Sequence, residues 1–214
     1  MSAETRLSLV EELYLVLHYD PATGELLRNG KVNGSEAQAL SAAKLIDLIA
    51  GGLVAVERTR TVREALVATE QASDDAVLDE ARALLWRQSK DRSITWGLGN
   101  LGSSSLVVAG LQARGLVVQE RKPLEPLTPF GAEVLRERRA AIDAAWLGSE
   151  SDEQALLVAV ILFAGKVWRN VYLVRDRSEK DSTTARLAAI TAPVARGGDR
   201  AKVVGRLLAD AVAP

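Results

Sequence analysis

The chain has 214 residues, no cysteine, 27 Lys and Arg against 28 Asp and Glu, and a formal net charge of -1. That excludes disulfides, thiolate zinc sites and cysteine nucleophiles together, and it leaves no global field to draw the protein onto nucleic acid or an anionic bilayer, so such binding needs a local patch. Apolar residues make up 48% and aromatics only 4%, so the core has to be assembled from Leu, Val, Ala and Ile, which favours helices, and the length suits one domain.

The N-terminal stretch MSAETRLSLVEELYLVLHYD carries acids inside its apolar run. It reads as neither a signal peptide nor a membrane span, and the chain is expected to be cytosolic. Leu7, Leu9, Val10, Leu13, Tyr14 and Leu17 recur at helical spacing and predict a first helix capped by Ser2 or Thr5 and ending before Asp20-Pro21. PATGELLRNGKVNGSE reads as a loop with room for a small hairpin. A second helix is predicted over 35–50, stopped at Gly51-Gly52 by a left-handed C-cap. LVAVE alternates like a short strand, and a loop leads from it to SDDAVLDEARALLWRQSK. There Ser73 is placed to cap, with Asp74 and Asp75 favourable at the positive end of the helix dipole. Further expectations are a helix over 102–114, a hairpin over 116–127, and a helix over 129–146 with Pro129 in its first turn. ALLVAVILFAG, residues 155–165, is apolar on nearly all sides yet too short to span a bilayer, and predicts a buried central helix over 151–174. A final helix is predicted over 199–212, and no fixed-period repeat or low-complexity segment is present.

Catalytic groups are sparse. The only histidine, His18, ends the first helix, where it reads as an exposed or dipole-stabilising residue with no paired serine motif. The acid pairs Glu11-Glu12, Asp74-Asp75 and Asp79-Glu80 point about 100° apart on a helix, do not converge on one substrate atom, and read as solvated faces or caps. With neither cysteine nor paired histidine, metal binding is not expected, and no cofactor is assigned.

Residues 97–120, GLGNLGSSSLVVAGLQARGLVVQE, admit three chemistries. As a dinucleotide turn, G-x-G-x-x-G with Glu120 for the ribose, they require a buried parallel strand directly upstream, and KDRSITW offers only Ile94-Thr95-Trp96. Continued through RKPLEPLTPFGAEVL, they run helix, strand, turn, strand, helix, as in a winged-helix regulator of the MarR type. Its recognition helix, however, would offer three serines, one Gln and the single Arg114, and its wing only Arg121 and Lys122, which is little to hold DNA phosphates. Such a DNA-binding regulator is the alternative function, and a nucleotide-binding enzyme a distant third.

The third chemistry comes with a resemblance. LSLVEELYLVLHYDPATGELL, ALSAAKLIDLIAGGLVAVE, DDAVLDEARALL and LQARGLVVQERKPLEPLT resemble, in order, successive segments of the Golgi phosphoprotein 3 family, in a form similar to its bacterial members. The likeness runs from Leu7 to about Thr128 and more loosely into 152–173. It implies a mainly α, single compact multi-helix domain with a protruding β-hairpin and one or two short strands. It also implies a non-enzymatic peripheral protein, cytoplasmic or on a membrane surface. The eukaryotic members bind phosphatidylinositol 4-phosphate and hold protein tails, and their hairpin supports self-association; the counterpart here is 116–127. Their lipid pocket combines a loop tryptophan with three arginines. In this chain the loop over 24–34 has no Trp, and the arginine positions fall near Ser41, Leu101 and Ser104. Arg28 and Lys31 remain as candidate lipid-headgroup contacts, although exposed loop cations are ordinarily just solvated.

Overall fold

A computed structural model describes residues 7–27, 33–58, 64–88, 92–118, 126–147, 152–171 and 198–212, with the isolated positions 185 and 189. In chain order its elements are α1 (Leu9–His18), α2 (Gly34–Ala50), β1 (Val54–Glu57), β2 (Ala65–Ala68), α3 (Ala76–Arg87) and α4 (Ile94–Asn100). They are followed by α5 (Ser105–Ala113), α6 (Pro129–Leu147), α7 (Glu153–Ala164), the single turn α8 (Trp168–Val171) and α9 (Gly198–Val212). The fold is mainly α, as expected, and it carries a small antiparallel β1–β2 sheet.

Two helices form its axis. Every residue of α1 from Leu9 to His18 is buried, and α2 buries Ala39 to Ile46 and Leu48. Around this pair, α5, α6, α7 and α8 pack on α1, while α3, α4, α7, α9 and β1 pack on α2. One hydrophobic cluster, dominated by Leu, Val, Ala and Ile, runs through all of them.

Local chemistry explains the element ends and corrects several expectations. Ser8, rather than Ser2 or Thr5, caps α1 in a capping box with Glu11, because only Ser8 stands directly before the first helical turn. Asn33 and Glu36 make the same box at α2. The α3 cap is Asp75, whose carboxylate accepts from Val77 and Leu78, while the Ser73 hydroxyl accepts from the Asp75 N–H one step earlier. Helix α2 stops as expected, with Gly52 at φ +68.

The segment expected as a loop after β1 contains β2, paired antiparallel with β1 in the register Val54↔Ala68 to Glu57↔Ala65. The apolar helix expected over 151–174 is shorter. It begins behind the Asp152 cap, stops at Ala164, and the chain turns through Gly165 and Lys166, the latter at φ 57, before α8. The helix expected over 102–114 begins only at Ser105.

The root of the 116–127 hairpin is present as a Val117↔Leu127 bridge and a Val118 N–H to Pro126 O bond, and residues 119–125 of that hairpin lie outside the described residues. The root lies flush on α6, where a Cβ at Gly131 would collide with the Leu116 carbonyl oxygen.

Glu11 and Glu12, expected on solvated faces or as caps, are both buried, and Glu11 also closes the Ser8 capping box. A helix enclosed on all sides has no solvent face, so each carboxylate is met by a cation from a neighbouring element. Arg114, at the end of α5, lies 3.0 Å from Glu11, and Gly110 one turn earlier leaves room for that carboxylate. Arg138 of α6 lies 2.9 Å from Glu12 and 2.8 Å from Asp152, and Gln154 donates to the other Glu12 oxygen at 2.7 Å. Burial raises the Glu12 pKa while Arg138 and Gln154 hold it down.

Breaking this pair leaves a buried charge alone. Arg138→Met is expected to lose about 3–5 kcal/mol at pH 8 in denaturant titration. Losing Arg138 removes the main group that holds the Glu12 pKa down, so its folded pKa rises further in the variant than in the wild type. The deficit therefore shrinks as pH falls and Glu12 takes a proton. A deficit that stays constant from pH 8 to pH 5 would contradict this account.

Candidate functional site

The glycine-rich stretch decides which chemistry the site can host. Ile94, Thr95 and Trp96 form the first turn of α4, capped by Ser93, and not a strand. Among the described residues the sheet is the antiparallel β1–β2 pair, so no parallel strand stands upstream of Gly97 and the dinucleotide turn is excluded. The glycines serve packing instead. A Cβ at Gly97 would meet the Leu66 and Leu45 side chains at 2.8 and 3.0 Å, and one at Gly102 would meet the Ala37 backbone oxygen at 2.6 Å. Gly99 faces open space.

Gly102 thus lets the chain between α4 and α5 lie directly on α2, which sets Ser103 over Lys44. The Lys44 side chain is only 1% exposed, and its ammonium donates to the Ser103 carbonyl. Among the described residues no carboxylate comes within ion-pair distance of it. Burial lowers its pKa, while the fields of Glu80 and Asp75 act to keep it charged.

Above it, Ser103 and Ser105 are exposed with their hydroxyls 3.2 Å apart. Ser104 is the N-cap residue of α5 but makes no side-chain cap bond, so the first-turn N–H groups of α5 lack that acceptor. A buried cation, two exposed hydroxyls and a helix N-terminus are together suited to hold an oxyanion.

Arg28 and Lys31 lie outside the described residues, so the structure does not place them relative to Lys44. Of the residues near which the relatives' arginines are expected to fall, Ser41 and Leu101 are buried at 0% and 1% exposure and present nothing to a ligand; Ser104 is half-buried at the ridge. Ser41 Oγ has no hydrogen-bond partner among the described residues. Lys44, one helical turn from Ser41, was the site residue hidden from sequence reasoning, since a lysine in an Ala- and Leu-rich helix reads as an exposed one.

His18 is buried rather than exposed. It stacks on Tyr14 at 4.3 Å between ring centroids, and burial lowers its pKa, favouring the neutral ring. Arg114, the one basic side chain of the supposed DNA-recognition helix, is engaged with Glu11, which leaves that helix no cation for phosphate.

The sequence model of the Golgi phosphoprotein 3 (GPP34) family matches residues 9–213, nearly the whole chain. The chain belongs to this family. A comparison with curated proteins finds no match. Among the described residues no helix is long and apolar enough to cross a membrane.

The two glycine roles are separable by mutation. Gly102→Ala is expected to lose about 1–3 kcal/mol through overpacking against Ala37. Gly99→Ala, in an exposed helical position, is expected to be neutral or to gain up to about 1 kcal/mol. Thermal or denaturant melts check both, and equal effects at the two positions would contradict the packing role.

Proposed function

We propose that the chain is a non-enzymatic peripheral binding protein that docks on phosphate-bearing anionic surfaces at the Ser103–Ser105 ridge. Arg28 and Lys31 of the α1–α2 loop act as additional lipid-headgroup contacts. The observation that carries this reading is Lys44, a buried ammonium with no ion-pair partner among the described residues, beneath the N-terminus of α5. A buried charge is costly unless it is paired, and a phosphate at the ridge would supply a direct partner that Glu80 and Asp75, acting at longer range, do not. Family membership supports the same class of function at the coarse level.

The relatives' way of reading phosphatidylinositol 4-phosphate differs, because arginine forks grip phosphate bidentately and a lysine acts as a point charge. The chain is therefore expected to favour anionic headgroups generally, with modest preference among them. Docking of a short protein tail is the second arm of this reading. It is supported by an open hollow of about 420 Å³ where Trp86, 59% exposed, stands beside Ala83, Arg82, Arg87 and Glu70. We assign self-association to the 116–127 hairpin on the family pattern.

Vesicle sedimentation at low salt tests the first arm. The wild-type chain is expected to pellet with phosphatidylserine vesicles and with vesicles containing phosphatidylinositol 4-phosphate, but not with phosphatidylcholine alone, and to be released by salt. Lys44→Met keeps the packing volume and removes a buried charge, so it is expected to fold at least as stably and to bind at least five-fold more weakly. Failure of the wild type to pellet with either anionic vesicle sinks the lipid arm, and unchanged binding by Lys44→Met sinks the assignment of the site. DNA retention that falls steeply with salt would instead revive the winged-helix alternative.

A further inference from the structure

Away from the ridge, the first turn of α1 is held by a side chain from another helix. Asp47, near the end of α2, accepts the Leu9 N–H on Oδ1 at 3.3 Å and the Val10 N–H on Oδ2 at 3.1 Å. Those two donors have no partner within α1, and the Ser8 cap serves Glu11 instead. Asp47 also lines a cavity of about 150 Å³ bordered by Glu153 and Gln154 of α7 and by Arg200 of α9. The cavity is part-polar and large enough for several waters.

We propose that Asp47 is a proton-responsive latch that ties α2 to the start of α1, reached by protons through the adjoining cavity. The charges around it are distributed unevenly. From α1, Glu11 faces it but is engaged by Ser8 and Arg114. From the α3 cap, Asp75 adds a second negative field. Across the cavity, Glu153 and Arg200 pair with each other at 3.0 Å and largely cancel. On α2 itself, Lys44 stands one turn away with its ammonium on Ser103.

Among the described residues no cation therefore offsets Asp47 directly. Burial raises its pKa to about 7, against the two backbone N–H bonds that act to lower it. A raised carboxyl pKa means that the folded state prefers the neutral acid. The stability contributed by Asp47 is complete below the ordinary aspartate value and is lost as pH rises through about 7. Opening of the first turn of α1, which returns Asp47 to water, is expected to become easier by up to about ten-fold per pH unit across this window, and to level off above it. Since α1 carries Glu11 and Glu12, the latch lies at the start of the helix on which both buried ion pairs converge.

The test follows the Asp47 carboxyl carbon and the Leu9 and Val10 amides of the whole chain by NMR from pH 4.5 to 8.5. The expected result is a shared titration with its midpoint near neutral, absent from the same amides in Asp47→Asn. An Asp47 carboxyl that titrates near pH 4, with both amides flat between pH 5.5 and 8.5, overturns the proposal. So does an unchanged amide titration in Asp47→Asn. If that variant does not fold, the wild-type carboxyl titration decides alone.

Discussion

Two adjacent carboxylates on a helix with no solvent face govern the arrangement of this molecule. Glu11 and Glu12 cannot stay buried alone, and they point in different directions around α1, so cations must approach from two sides. Arg114 arrives from the end of α5 and Arg138 from α6, the latter shared with the Asp152 cap of α7. These ion pairs fix how α5, α6 and α7 dock on α1. They also set the hairpin root, because Gly115 and Leu116 follow Arg114 immediately, and the Thr128 hydroxyl ties both of their carbonyls to the start of α6. The buried pairs define registry and orientation. The net stabilisation comes mainly from the Leu, Val, Ala and Ile cluster around them.

The same logic of a buried charge operates at the ridge with a different outcome. Glu11 and Glu12 find guanidinium partners, whereas Lys44 finds only a carbonyl among the described residues. On the proposed reading, that difference separates a charge placed for architecture from one that a ligand completes. Gly102 makes the arrangement possible by bringing the α4–α5 connection onto the backbone of α2, and the serines that follow keep the surface over Lys44 shallow and polar. Four segments in family order and a family match over residues 9–213 place this ridge in a scaffold associated with lipid and protein binding.

Much of this fold was legible in the sequence because local signals were unopposed. The apolar periodicity of α1, the Gly51-Gly52 stop, the alternation of LVAVE and Pro129 at the start of α6 each carry their own physical cause. The misses have causes as well. ALVA is four residues long and sits among charged residues, too short for alternation to outweigh a loop assignment. Helix α4 contains two glycines, which oppose helix formation locally, and it forms because tertiary packing of Gly97 and Leu98 overrides propensity. The central helix was overextended because Gly165 and Lys166 interrupt an otherwise apolar run without a proline. The burial of Glu11, Glu12 and His18 is not legible in the sequence, which shows which residues share a face but not whether the opposite face is also covered. Lys44 was invisible for the same reason.

The central claim is that an oxyanion docks above the Lys44 ammonium at the start of α5. The most direct measurement is amide NMR of the whole chain titrated with a short-chain, water-soluble phosphatidylinositol 4-phosphate, and in parallel with inorganic phosphate. The account predicts shifts centred on Ser103 to Val107 and on Lys44, saturating with the lipid analogue and lost in Lys44→Met. Shifts confined to other surfaces, such as the Trp86 hollow, or a spectrum unmoved by either anion, would contradict it.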